Sequence, residues 1–197
     1  MRLEQLNEST LTEEQRELYE AIAGNRPGAS IRAANLSDAD GSVMGPFNHM
    51  LLAPTLGEPL QRLGGVLRFG GTLPDRAREL VILTVARAWR SEFEWFAHVR
   101  VARAVGVSDD EIAAVRNGEV LALEDPIADA AVATACALLE RDDLTDDEFA
   151  YAHNNLGTTM LVELTTLVGY YALLAMQMRV FRVALPPHVP AVFDARE

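Results

Sequence analysis

The chain contains no lysine; all 17 of its basic residues are arginine. That absence excludes Schiff-base catalysis on the enzyme, lysine-bound pyridoxal phosphate and a Walker phosphate loop, each of which needs an amine. Any anion must be held by arginine, histidine or backbone amides. Cysteine is nearly absent as well. Cys136 is the only one in 197 residues, so an internal disulfide is excluded and a cytoplasmic setting is expected. Positive charge is outnumbered by 29 acids, for a net charge of −12. Such a balance argues against nucleic acid and against anionic membrane surfaces as partners. No run approaches the roughly 18–20 apolar residues of a spanning helix. The polar start, MRLEQLNEST, has no signal-peptide hydrophobic stretch. Strand-like alternation is also missing, and no Asn-Gly or Asp-Gly pair is read as a hairpin turn.

What is present reads as helix throughout. Hydrophobic residues make up 49% of the chain, ample for a core in one domain, at a mean hydropathy of +0.05. Thr12–Gln15 is a capping box, predicting a helix to about Gly24. Asn25–Met44 is rich in Gly, Ser, Asn and Asp and reads as a loop, long enough to be functional. Helices are expected over Pro54–Phe69 and from Pro74 to about Trp89. Ser91–Glu94 is a second capping box, opening a helix from Glu92 to about Val105 with Gly106 at its end. Ser108–Glu111 opens a short helix closed by Asn117-Gly118. Pro126–Glu140 is apolar, Thr145–Glu148 opens another helix, and Thr158 to about Val183 forms the last. That final helix is apolar on nearly all sides, so part of its cover is expected from another subunit. The tail LPPHVPAVFDARE is Pro-rich and extended.

The informative stretch is Arg78–Gly106. It sets Glu79, Glu94 and His98 into segments that otherwise read as buried helix, where a carboxylate is costly without a partner or a proton. Glu94 and His98 are spaced i, i+4 and share a helix face with Val101 and Val105. Glu79 lines up with Leu83 and Ala86 on the preceding helix. The tight turn at Arg90-Ser91 brings the two helices antiparallel or crossed. Plainer readings stand beside this one. Glu94 serves equally as the capping-box acid, His98 as a satisfied core histidine, and Glu79 as a partner for Arg76 or another arginine of its helix. Phe93, Trp95 and Phe96 read as packing residues. The spacing matches neither H-E-x-x-H nor the Glu-x-x-His pairs of di-iron bundles, so no metal is expected. His153 reads as a helix-end residue and His188 as surface.

The segment LPDRARELVILTVARAWRSEFEWFAHVRVARAVGVSDDEIAAV resembles the core of the carboxymuconolactone decarboxylase family, which includes the alkyl hydroperoxidase D (AhpD) proteins. The likeness extends to FNHMLLAP at Phe47–Pro54 and to Glu163–Pro186. It implies an all-α, AhpD-like helical bundle, a single domain in a homo-oligomer, commonly a trimer or hexamer. The implied division is 1–45 as an N-terminal extension, 46–186 as the family-like domain and 187–197 as a tail. The peroxidase branch carries a glutamate, then Cys-x-x-Cys, then a histidine four residues after the second cysteine. On this chain those positions are Glu79, Ser91, Glu94 and His98. The acid–base frame is kept and both thiols are gone, so thiol peroxidase activity is rejected.

What the resemblance leaves is a decarboxylase-like carbon–carbon lyase acting on an unsaturated lactone or carboxylic acid without a cofactor. His98 would donate the proton, with Glu79 orienting it and holding its protonated form. Glu94 would be a second acid or base, its pKa raised by burial and a like-charged neighbour. Arg87 or Arg90 would hold the substrate carboxylate. Asn48, His49 and Trp95 complete the expected substrate lining; for His49, capping a helix start is the alternative. Other readings kept open are a related isomerase, hydratase or elimination enzyme, and a non-catalytic ligand-binding or assembly module.

Overall fold

The computed structural model describes residues 1–24, 37, 41–121 and 123–193, and every structural statement below refers to them. Eight α-helices follow a short 3-10 turn at Glu8–Thr10: α1 Glu13–Gly24, α2 Pro46–Leu52, α3 Pro54–Phe69, α4 Asp75–Trp89, α5 Glu92–Ala104, α6 Asp109–Asn117, α7 Pro126–Arg141 and α8 Asp146–Phe181. The fold is all-α, as expected. The expected loop over Asn25–Met44 lies outside the described residues for 25–36 and 38–40.

Two isolated antiparallel bridges, Asn7 with Ser42 and Ser37 with Val43, depart from a purely helical reading. In the sequence, an Asp-Gly dipeptide at 40–41 falls between Ser37 and Val43 without alternating apolar flanks. A second departure is α2. Its seven residues are too few to show a periodicity, and Pro46 opens it at a position where the missing N–H costs nothing.

The chain forms two compact units. The first comprises Met1–Phe69 and Gln177–Val189; the second comprises Gly70–Met176 and Pro190–Glu197.

In the first unit, Leu6, Leu11, Leu18, Ile22, Val43 and Leu51 form a core closed by Tyr19 and Phe47. The Thr12 capping box forms as read: Gln15 N donates to Thr12 Oγ1 at 3.3 Å and Thr12 N to Gln15 Oε1 at 3.0 Å. Helices α2 and α3 meet so closely that a Cβ on Gly57 would lie 2.2 Å from the Met50 carbonyl oxygen.

The second unit is built around α4, whose residues Ala77 to Ala86 are all buried; α5, α6 and α7 pack on it. Apolar residues from Leu80 to Leu83 and at Val85 and Ala86 cover several faces of this helix, so it is packed on more than one side. The α4–α5 turn is a Schellman motif. Ser91 N donates to Ala86 O at 2.8 Å and Arg90 N to Arg87 O at 3.0 Å. Arg90 takes the left-handed conformation this requires, at φ 51°, costing about 1 kcal/mol for a residue with a Cβ. The Ser108 and Thr145 capping boxes both form.

Gly157 breaks α8 at φ 70°, ψ 174°, a conformation essentially confined to glycine. The break separates 146–156 from 158–181, the two helices the sequence predicts. By length and composition, α8 is apolar enough to cross a membrane, correcting the reading that no run approaches that limit. Within it, however, Glu163 is tied to the α4 approach: Oε2 accepts from Thr72 N at 2.7 Å and from Leu73 N at 3.0 Å.

Candidate functional site

Helices α4 and α5 bring Glu79 and His98 together. His98 Nδ1 lies 2.7 Å from Glu79 Oε2, the glutamate fully enclosed and the histidine buried. Glu79 is therefore no simple partner for Arg76, which instead pairs with Glu111 of α6. Its second oxygen lies 3.8 Å from Arg78 Nε. Arg78 is itself buried and joins Asp75 through Nη2 at 2.7 Å. Charge is thus matched locally: a buried carboxylate sits between an imidazole and a guanidinium, which is what keeps its burial from being prohibitive. Tyr171 of α8 stands edge-on to the imidazole, ring centroids 5.1 Å apart and planes at 87°.

The carboxylate does more than fill space. With Nδ1 engaged by Glu79, the ring orientation and tautomer are set, and Nε2 is the nitrogen left for exchange with another molecule.

Glu94 lies one turn before His98 on the same helix face and is 3% exposed. The Ser91–Glu94 capping box expected from the sequence does not form: Ser91 gives α5 no side-chain cap. Both Glu94 oxygens and Ser91 Oγ are buried without a hydrogen-bond partner. Burial pushes the Glu94 carboxyl up to about 8; the nearby Ser91 hydroxyl offsets this in part without reaching good hydrogen-bond geometry. The shift has the direction expected, but its cause is burial, with no like-charged neighbour contributing.

The expected substrate-lining residues are placed less uniformly. The Arg87 guanidinium lies over Gly118, where a Cβ would come within 1.8 Å of Nη2, and it acts electrostatically on Cys136 of α7. Arg90 is exposed at the α4–α5 turn. Arg78 is the guanidinium beside the Glu79–His98 pair. Trp95 packs edge-on against Phe193, centroids 5.3 Å apart.

Asn48 and His49 belong to the first unit. Asn48 is engaged with the N-terminal segment, accepting from Leu6 N at 2.8 Å and donating to the Glu4 carbonyl at 2.9 Å. His49 packs on Phe181, and its Nε2 is buried without a partner. Burial lowers its pKa to about 4.

Sequence reasoning missed Tyr171, whereas Arg78 falls within the alternative that Glu79 pairs with another arginine of its helix. Arg78 adjoins Glu79 in sequence, and neighbours i, i+1 do not face each other on a helix; its Nε nonetheless comes to 3.8 Å of the carboxylate. Tyr171 lies far along the chain in an apolar helix with no local sign of its contact. Cys136 is half-buried on α7, its thiol pushed up chiefly by burial and further by Glu140.

Residues 54–137 match the family model of the carboxymuconolactone decarboxylase family, a span containing Glu79, Ser91, Glu94 and His98. No curated protein matches the chain significantly. Among solved structures, the fold is similar to a protein of unknown function from Agrobacterium tumefaciens, described there as a candidate antioxidant defence protein AhpD. The TM-score is 0.63 at 18% identity, over 71% of this chain and 96% of that one. The likeness at that identity concerns the fold.

Proposed function

We propose that this chain, which matches the carboxymuconolactone decarboxylase family model over residues 54–137, is an acid–base enzyme acting on a small unsaturated lactone or carboxylic acid. The observation that carries the reading is the buried 2.7 Å pair between Glu79 and His98, with an uncapped, buried Glu94 one turn away.

The chemistry follows from the balance of a decarboxylation. The bond between the substrate's ring carbon and its carboxylate carbon breaks, carbon dioxide leaves, and the electron pair stays behind as a dienolate. A proton must then reach carbon. His98 Nε2–H supplies it, because Nδ1 is held by Glu79 and the ring cannot turn away. Glu94, protonated at neutral pH, is the second acid: it can donate toward the dienolate oxygen as charge develops there. Isomerisation or hydration would use the same proton donors. Arg87 and Arg90 draw no support from their placement as a carboxylate grip.

Thiol peroxidation is not proposed, although the neighbour from Agrobacterium tumefaciens is described as an antioxidant protein. By the family resemblance, the two cysteine positions of that branch fall on Ser91 and Glu94, and the Cys136 thiol is raised by burial, opposite to what a nucleophilic thiolate needs.

Self-association in a cytoplasmic homo-oligomer completes the proposal. Val162, Leu173 and Met176 expose apolar surface along α8, the kind of face a second copy would cover. Light scattering of the purified protein tests it; a monomer at tens of micromolar would contradict it.

The enzymatic reading is tested with His98→Ala and Glu79→Gln, assayed for carbon dioxide release and for solvent deuterium entering carboxylated unsaturated lactones. His98→Ala is expected to lower kcat about 10²–10⁴-fold. Glu79→Gln is expected to lower it about 10–100-fold, as for the loss of a partner that orients a histidine. Wild-type rates in both folded variants would overturn the mechanism.

A further inference from the structure

Ser91 and Glu94 share an unusual condition. Each is 3% exposed, and neither Ser91 Oγ nor either Glu94 oxygen has a hydrogen-bond partner. A buried polar group left unmatched is costly, so three such atoms within one helical turn call for an occupant. They stand at the start of a 13-residue helix whose first-turn amides receive no side-chain cap. The turn's own backbone is otherwise committed: Ser91 N donates to Ala86 O, and Ser91 O accepts from Trp95 N. The free side-chain atoms are therefore the ones available to a ligand.

We propose that Ser91 Oγ–H and the Glu94 carboxyl form a paired donor site for one uncharged carbonyl oxygen, such as that of a small cyclic ketone or lactone. The proposal rests on the acid–base reading in placing substrate beside His98, and it adds Ser91 and the polarity of the group bound. A carbonyl oxygen has two lone pairs and accepts both donors at once. A carboxylate is disfavoured there: beside an ionised Glu94 it would be repelled, and beside a neutral one it would be a buried charge without a cation. Burial holds Glu94 in its neutral, donating form below about pH 8.

The paired donors are closed from solvent, so entry requires a neighbouring element to move. One candidate is the strap formed by the C-terminal segment. Val192 N and Phe193 N donate to Glu92 Oε2 and Oε1 at 2.9 and 2.7 Å, and the Phe193 ring rests on Trp95. All of these contacts are made to the first turn of α5.

The probe is cyclopentanone, set against cyclopentanecarboxylate, which has the same ring and an anionic head. Binding is read at pH 7 from the amide NMR shifts of Ser91 to Trp95 in the full-length protein. Wild type and Glu94→Gln, which keeps a neutral donor, are expected to bind cyclopentanone alike. Ser91→Ala and Glu94→Leu are expected to weaken it about three- to tenfold, the loss of one hydrogen bond. Cyclopentanecarboxylate should bind at least about tenfold more weakly than the ketone. No shift with cyclopentanone, equal affinity in all four proteins, or preference for the carboxylate would overturn the proposal. Cyclopentanone has no carboxyl group to lose, so the two readings fail separately. Turnover without ketone binding sinks the donor pair alone; ketone binding without turnover sinks the acid–base reading alone.

Discussion

The two buried histidines make an instructive pair, one in each compact unit. His49 in the first unit is buried with its Nε2 unpartnered against Phe181, and burial lowers its pKa to about 4. His98 in the second unit is buried to a similar degree, but its Nδ1 meets a fully enclosed carboxylate at 2.7 Å. Burial alone yields a neutral imidazole with nothing to exchange protons with. A buried carboxylate behind the ring yields an oriented one with a single free nitrogen. The comparison locates the candidate chemistry by partnership, since burial does not distinguish the two residues.

The sharpest way to break the contrast is at the pair itself, where His98→Ala should remove about 10²–10⁴-fold of turnover. Next in size is the scaffold that buries His49. Gly57→Ala would push a methyl into the Met50 backbone and should destabilise the fold by about 1–3 kcal/mol in urea melts. It should also raise the His49 pKa toward 6.5 by NMR titration, because burial is the only cause of its depression.

The titrations of Glu94 and His49 give opposite signs. Glu94 has a folded pKa near 8 against 4.5 in the unfolded chain. The folded state then binds more protons between those values, so stability falls as pH rises from 4.5 to about 8. Glu94→Gln should flatten that slope and leave the variant more stable than wild type at pH 8. A wild-type slope in Glu94→Gln would refute the assignment. His49 is depressed from 6.5 to about 4. The unfolded state binds more protons in that window, so stability falls as pH drops from 6.5 to 4. His49→Phe should reduce this acid sensitivity, a smaller effect because the ring is incompletely buried. An unchanged acid limb would show that the sensitivity lies elsewhere.

Local signals in the sequence were good guides where local physics decides. The Thr12, Ser108 and Thr145 boxes formed because each sits at an exposed helix start, where side chain and amide have no better partner. Ser91–Glu94 has the same spelling and does not close, because packing turns both side chains inward. The expected final helix from Thr158 begins where the structure breaks at Gly157, whose φ of 70° and ψ of 174° suit glycine. The site was half legible. The spacing of Glu94 and His98 follows from helix geometry, and the short turn makes contact with Glu79 plausible. The edge-on packing of Tyr171 arises only when helices pack, while the 3.8 Å approach of Arg78 is the same-helix pairing that the sequence left open.

Heteronuclear NMR of the His98 ring nitrogens at pH 9 bears most directly on the central claim. The account predicts that Nδ1 keeps its proton, held toward Glu79, and that Nε2 is the nitrogen that exchanges its proton. A ring that keeps its proton on Nε2 while Nδ1 is bare, or the averaged tautomers of a solvent-exposed ring, would contradict it.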